Sequence, residues 1–181
     1  MKKHIPNILT MIRGILTIVI IILFYVDIPS KFVIILGLFV IASLTDNLDG
    51  RFARRWKVES TFGKVFDSLF DKILVISLFM LLLPYDIVPG FIFIALVFRE
   101  LLVDGLKNYL LSKGAPISPR KSGKIKMWMQ VLMIIFMLLY LIIPGNEIVY
   151  GAVVVSTAMA LILAYYSAYQ YMRTFYIFMK K

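Results

Sequence analysis

The chain has 181 residues, 61% hydrophobic and 17% charged, with no cysteine and one histidine. Soluble chains are roughly 45–50% apolar and about a quarter charged, so this one has too little polar surface for a water-soluble globule. A cytosolic enzyme, a secreted disulfide scaffold and a disordered tail are excluded; a polytopic, all-α membrane protein remains.

Two further classes drop out on residue types. With no cysteine there is no thiolate metal site and no cysteine nucleophile. His4 stands alone beside Lys2 and Lys3, which gives neither a His-ligated zinc site nor a Ser-His-Asp triad. The net charge is +10, from 20 Lys+Arg against 10 Asp+Glu. In a membrane protein that excess belongs to cytoplasmic loops, so no nucleic-acid partner is expected.

A helix needs about 20 mostly apolar residues to cross a bilayer. Six stretches qualify, in chain order Ile8–Val26, Lys31–Arg54, Ser60–Leu83, Val88–Leu111, Gly123–Ile143 and Ile148–Phe175. The first is read as a retained span, since its apolar run is long and no small-x-small cleavage site follows it. Turn residues separate the rest: Pro29-Ser30, Pro84, Pro89-Gly90, Gly114 to Pro119 and Pro144-Gly145. Arg51, Arg54, Arg55 and Lys57 lie between spans two and three; Lys113, Arg120, Lys121, Lys124 and Lys126 lie between four and five. Those basic loops and both termini fall on one side, predicted to be cytoplasmic. Trp56, Trp128 and several tyrosines from Tyr165 to Tyr176 fit an interfacial belt. No repeat or separate soluble domain interrupts the pattern, so residues 1–181 read as a single multi-pass domain of the cytoplasmic membrane.

Six acids lie in or at the ends of these apolar helices: Asp46, Asp49, Asp67, Asp71, Glu100 and Asp104. A charge at the bilayer centre costs on the order of 2.5–3.5 kcal/mol or more, so such residues mark function. A helix turns about 100° per residue. Asp46 and Asp49, three apart, therefore share a face, as do Asp67 and Asp71, four apart. Both pairs lie near the cytoplasmic ends of consecutive antiparallel spans. Four facing carboxylates either protonate or hold cations, and hard oxygen donors suit Mg²⁺, Mn²⁺ or Ca²⁺. Gly50, Ala53 and Gly63 leave room beside them, or serve close helix packing. Arg54, on the same face, is either a counter-ion or a phosphate ligand.

Asp46-x-x-Asp49-Gly50-x-x-Ala53-Arg54, eight residues, then Gly63-x-x-x-Asp67-x-x-x-Asp71 resembles the signature of the CDP-alcohol phosphotransferase (CDP-alcohol phosphatidyltransferase) family at all eight positions. The six-span pattern extends the likeness over nearly the whole chain. The resemblance implies a site for two Mg²⁺ or Mn²⁺ ions on Asp46, Asp49, Asp67 and Asp71, with Asp71 also the catalytic base. It implies that Asp49, Gly50, Ala53, Arg54 and Gly63 surround a CDP-linked donor, whose phosphatidyl or other substituted phosphate passes to an alcohol with release of CMP. A homodimer is implied by the resemblance alone.

Within the family the chain is most similar to phosphatidylglycerophosphate synthases. The likeness lies in Ile5-Pro6-Asn7-Ile8-Leu9-Thr10-x-x-Arg13, Gly63-Lys64, Asp71-Lys72, Arg99-Glu100, Gly123-Lys124-Ile125-Lys126 and Gln130. It departs at Ser68, usually Pro in those enzymes, at Phe70, usually Ala, at Asp104-Gly105-Leu106-Lys107, usually Thr-Gly-Leu-Arg, and at Met127, usually Thr. The implied substrates are CDP-diacylglycerol and glycerol 3-phosphate. Inositol phosphate, serine or phosphatidylglycerol are alternative acceptors, and a carboxylate-lined divalent-cation transporter is the alternative from another class. An anionic acceptor needs cations. Arg99 is expected to bind its phosphate, because Glu100 (adjacent) and Asp104 (five along) lack helical pairing distance from it. Lys124, Lys107 and Arg13 are the expected helpers.

Overall fold

Proline and glycine end the apolar runs, and six α-helices result in the computed structural model, which describes residues 5–56, 61–114 and 121–180. They are α1 (Ile5–Tyr25), α2 (Lys31–Trp56), α3 (Thr61–Leu82), α4 (Gly90–Ser112), α5 (Lys121–Ile142) and α6 (Glu147–Met179), with a single 3₁₀ turn at Leu83–Tyr85. Among the described residues there is no strand. The all-helical expectation holds, and each helix overlaps one of the six apolar stretches. α6 is longer than expected at 33 residues, about 50 Å of helix at a 1.5 Å rise.

The sequence punctuates these helices by identifiable means. Pro89 caps the start of α4 and Pro84 sits inside the 3₁₀ turn, where a missing N–H costs nothing. Gly145 takes φ +80, a left-handed conformation that favours glycine. One residue on, Asn146 caps α6: its side chain accepts from the N–H groups of Ile148 and Val149 at 3.0 and 3.1 Å. Glu147 then adds a negative charge to the first turn, where the helix dipole favours it.

α1 lies against α2 and α3, α2 against α5, and α6 against both α5 and α4. One apolar cluster threads the bundle, including Phe39 of α2, Leu78 of α3, Leu96 of α4 and Met137 of α5. α6 contributes small residues to its buried stripe: Ser156, Thr157, Ala160, Ala164, Ser167 and Ala168. Small residues let helix backbones approach closely, and in lipid that contact replaces the hydrophobic drive. Large apolar side chains point outwards instead, such as Ile18 of α1, Ile94 and Phe98 of α4, and Ile162 of α6. Stretches of α5 and α6 are long and apolar enough to cross a membrane. An outer surface this apolar is a membrane-contacting surface, and the chain is a membrane protein.

Candidate functional site

Parts of α2, α3, α4 and α5 enclose a cavity of about 240 Å³. Its wall is apolar where it reaches Leu74 and Phe79, and charged at Asp71 and Lys72 of α3, Glu100, Asp104 and Lys107 of α4, and Lys126 of α5. On α4 the three charged residues are spaced four and three apart, which sets them on one face.

Each acid on this wall has a cationic partner from another helix. Asp71 is ion-paired with Arg13 of α1, which is completely buried. The neighbours of this pair explain how α1 and α3 come so close. A Cβ at Gly14 would lie 2.8 Å from the Phe70 ring, so only glycine admits that ring. Asp104 is ion-paired with Lys72 across the α3–α4 seam. Glu100 is the most heavily engaged. It pairs with Lys126, receives Arg99 Nη1 at 3.2 Å, and lies 3.4 Å from Gln130 Nε2. Three donors on one carboxylate offset the cost of burying it.

Arg99 does not line the cavity. Its Nε donates to the Ala164 carbonyl of α6 at 2.7 Å, and its side chain is buried at 3% exposure. A helix carbonyl has a second lone pair free for this bond. Lys107 does line the cavity, and its Nζ lies 4.9 Å from the centre of the Tyr171 ring of α6, a cation–π distance. Of the four cations expected to take an acceptor phosphate, then, Lys107 is on the wall. Arg13 stands behind Asp71 and Arg99 behind Glu100, while the Lys124 side chain lies outside the described residues. Lys126 and Lys72 are on the wall as well. Among the described residues, Lys72, Lys107 and Lys126 face Asp71, Glu100 and Asp104 on the wall, and Arg13 and Arg99 stand behind two of those acids.

Asp46 and Asp49 lie within α2, and Asp67 and Asp71 within α3. The side chains of Asp46, Asp49, Asp67, Ala53 and Arg54 lie outside the described residues, and nothing beyond helical backbone is described at Gly50 and Gly63. Helical backbone over both stretches keeps each acid pair on one helix face. Four carboxylates without nitrogen or sulfur are the donor chemistry that Mg²⁺ and Mn²⁺ take, so the residues present fit a divalent-ion site.

The Arg99–Glu100 pair, set aside in the sequence on helical spacing, is present, and the pairing of Glu100 with Lys126 and of Asp104 with Lys72 was not singled out there. A signal existed: an acid and a base each buried in apolar helices require partners. Sequence spacing finds partners only along one helix, and the latter two pairs lie across helices.

Residues 3–168 match the family model described as CDP-alcohol phosphatidyltransferase. Three relatives carry the name CDP-diacylglycerol–glycerol-3-phosphate 3-phosphatidyltransferase. The protein of Rickettsia typhi is 33% identical over 182 aligned positions, 96% of this chain and 99% of its own length. That of Bacillus subtilis is 38% identical over 103 residues, 57% of this chain and 53% of its own length. That of Haemophilus influenzae is 34% identical over 119 residues, 63% of each chain. The match thus spans about half of the Bacillus protein and nearly all of the Rickettsia one. With the signature acids on α2 and α3 and a family match over most of its length, the chain belongs to the CDP-alcohol phosphatidyltransferase family.

Proposed function

We propose that this protein transfers the phosphatidyl group of CDP-diacylglycerol to glycerol 3-phosphate, giving phosphatidylglycerophosphate and CMP. The observation that carries this reading is the cavity beside Asp71, with Lys72, Lys107 and Lys126 on its wall. A cavity of about 240 Å³ has room for a small polar acceptor. The names of the relatives give the same donor and acceptor.

The sn-1 hydroxyl oxygen of glycerol 3-phosphate forms a bond to the phosphatidyl phosphorus. The bond from that phosphorus to the bridging oxygen breaks, and its electron pair leaves with CMP. The hydroxyl proton passes to the Asp71 carboxylate, which Arg13 holds in position. Lys107 and Lys126 face the acceptor phosphate from α4 and α5, with Lys124 nearby in sequence. Arg99 supports them indirectly, by fixing Glu100 against Lys126. Asp49, Gly50, Ala53, Arg54 and Gly63 form the donor side. Asp46, Asp49, Asp67 and Asp71 would hold two divalent ions, Mg²⁺ or Mn²⁺, which would supply neutralisation of the charge developing on the phosphates.

In this reading residues 1–181 form one domain with six membrane spans. Both termini, the basic loops and the active site face the cytoplasm across the cell membrane, in keeping with the positive-inside rule, and the protein works as a homodimer. The test is incubation of the purified protein with CDP-diacylglycerol and, separately, glycerol 3-phosphate, inositol phosphate, serine and phosphatidylglycerol, followed by mass spectrometry. Phosphatidylglycerophosphate is the expected product. A product from another alcohol in its place overturns the acceptor assignment.

A further inference from the structure

α4 presents Glu100, Asp104 and Lys107 to the cavity on one face, and the three are not equivalent. Glu100 is occupied by donors from Arg99, Lys126 and Gln130. Lys107 supplies positive charge. Asp104 is paired with Lys72 through one carboxylate oxygen, Oδ2, and its side chain keeps 24% exposure on the wall. A carboxylate accepts about four hydrogen bonds, so Asp104 has acceptor capacity left for a ligand hydroxyl. Its pairing with Lys72 offsets its charge, which keeps it from repelling an anion. Along α4, Asp104 and Lys107 are separated by three residues, about 4.5 Å of rise. That is the scale of the separation between the central hydroxyl and the phosphate of a three-carbon polyol phosphate.

We infer that Asp104 is a specificity-determining residue that accepts a hydrogen bond from the non-reacting, central hydroxyl of the acceptor, with the phosphate held one turn away at Lys107. This rests on the acceptor reading above and deepens it. The position selects for a polyol phosphate with a hydroxyl beside the attacking one, and against an acceptor that lacks it. A site built around a substrate hydroxyl discriminates against the deoxy analogue, because the acceptor oxygen facing the ligand then loses its donor.

The test compares glycerol 3-phosphate with 3-hydroxypropyl phosphate, which keeps the attacking hydroxyl and the phosphate and lacks only the central hydroxyl. Both are offered with CDP-diacylglycerol to the full-length purified protein, and the ratio of the two kcat/KM values is read. The ratio is independent of how much of a variant is folded. Wild type is expected to favour glycerol 3-phosphate by at least roughly tenfold, the worth of a hydrogen bond to a charged group. Asp104→Ala is expected to bring the ratio to within about threefold of one. Asp104→Asn, which keeps shape and a neutral acceptor, is expected to fall between; if the alanine variant does not accumulate, the asparagine variant decides. A ratio in the variant within about twofold of wild type, with both rates reduced together, overturns the assignment and makes Asp104 a base or a structural partner. Failure of the acceptor reading looks different: wild type then turns over neither phosphate while another alcohol reacts, and the inference falls with it.

Discussion

Arg13 on α1 and Asp71 on α3 are 58 residues apart in the chain and ion-paired in the fold, with the arginine fully buried. The pair ties the N-terminal helix to the carboxylate proposed above as the proton acceptor. Arg13→Ala is expected to lower kcat by roughly 10- to 100-fold through misplacement of Asp71, with a smaller change in the KM for CDP-diacylglycerol. Arg13→Lys restores part of the rate, because a point charge replaces a planar fork. Steady-state kinetics on both variants checks this, and equal loss with lysine and alanine contradicts it.

Packing beside that pair makes a separate prediction. Gly14→Ala drives a methyl into the Phe70 ring, and overpacking of this kind costs about 1–3 kcal/mol. Phe70→Ala in the same chain removes the clash. Thermal unfolding in detergent should show Gly14→Ala destabilised, and the double variant less destabilised than the two single changes would sum to.

Six helices were legible in the sequence because span length and Pro/Gly punctuation are local properties. Pro89 and Pro144-Gly145 stand where α4 begins and where α5 gives way to α6. The acids were legible as a group because each is costly in an apolar helix. The partner of Arg99 was not. Its bond to Ala164 reaches a backbone carbonyl 65 residues away, and every helical residue offers the same carbonyl. Lys126 and Glu100, 26 residues apart, meet only because α4 and α5 line the same cavity, which no spacing along one helix encodes. Phe70 against Gly14 is the same kind of fact: shape complementarity between helices leaves no periodic trace.

The Glu100 hub predicts non-additive energetics. Removing one member of a buried ion pair costs about 3–5 kcal/mol, since a buried charge is left behind. Glu100→Ala should therefore destabilise the protein more than the Glu100→Ala/Lys126→Met pair does. A double-mutant cycle on unfolding in detergent measures this. Strict additivity contradicts the hub.

Divalent-ion removal tests the acid signature. Chelation with EDTA is expected to abolish turnover, and Mg²⁺ or Mn²⁺ to restore it. Asp46→Asn and Asp67→Asn should each lose turnover while keeping wild-type helix content by circular dichroism. Ion binding by isothermal titration should weaken in both, which separates loss of the ion site from a catalytic effect alone. Full activity in EDTA contradicts the metal reading.

The most direct measurement quantifies CMP and phosphatidylglycerophosphate released from CDP-diacylglycerol and glycerol 3-phosphate, by wild type and by Asp71→Asn, in parallel. Phosphatidyl transfer in this cavity predicts equal amounts of the two products from wild type, and a loss of both in the variant by at least roughly a hundredfold, the scale of a general base. No phosphatidylglycerophosphate from wild type, or an undiminished rate from Asp71→Asn, contradicts it.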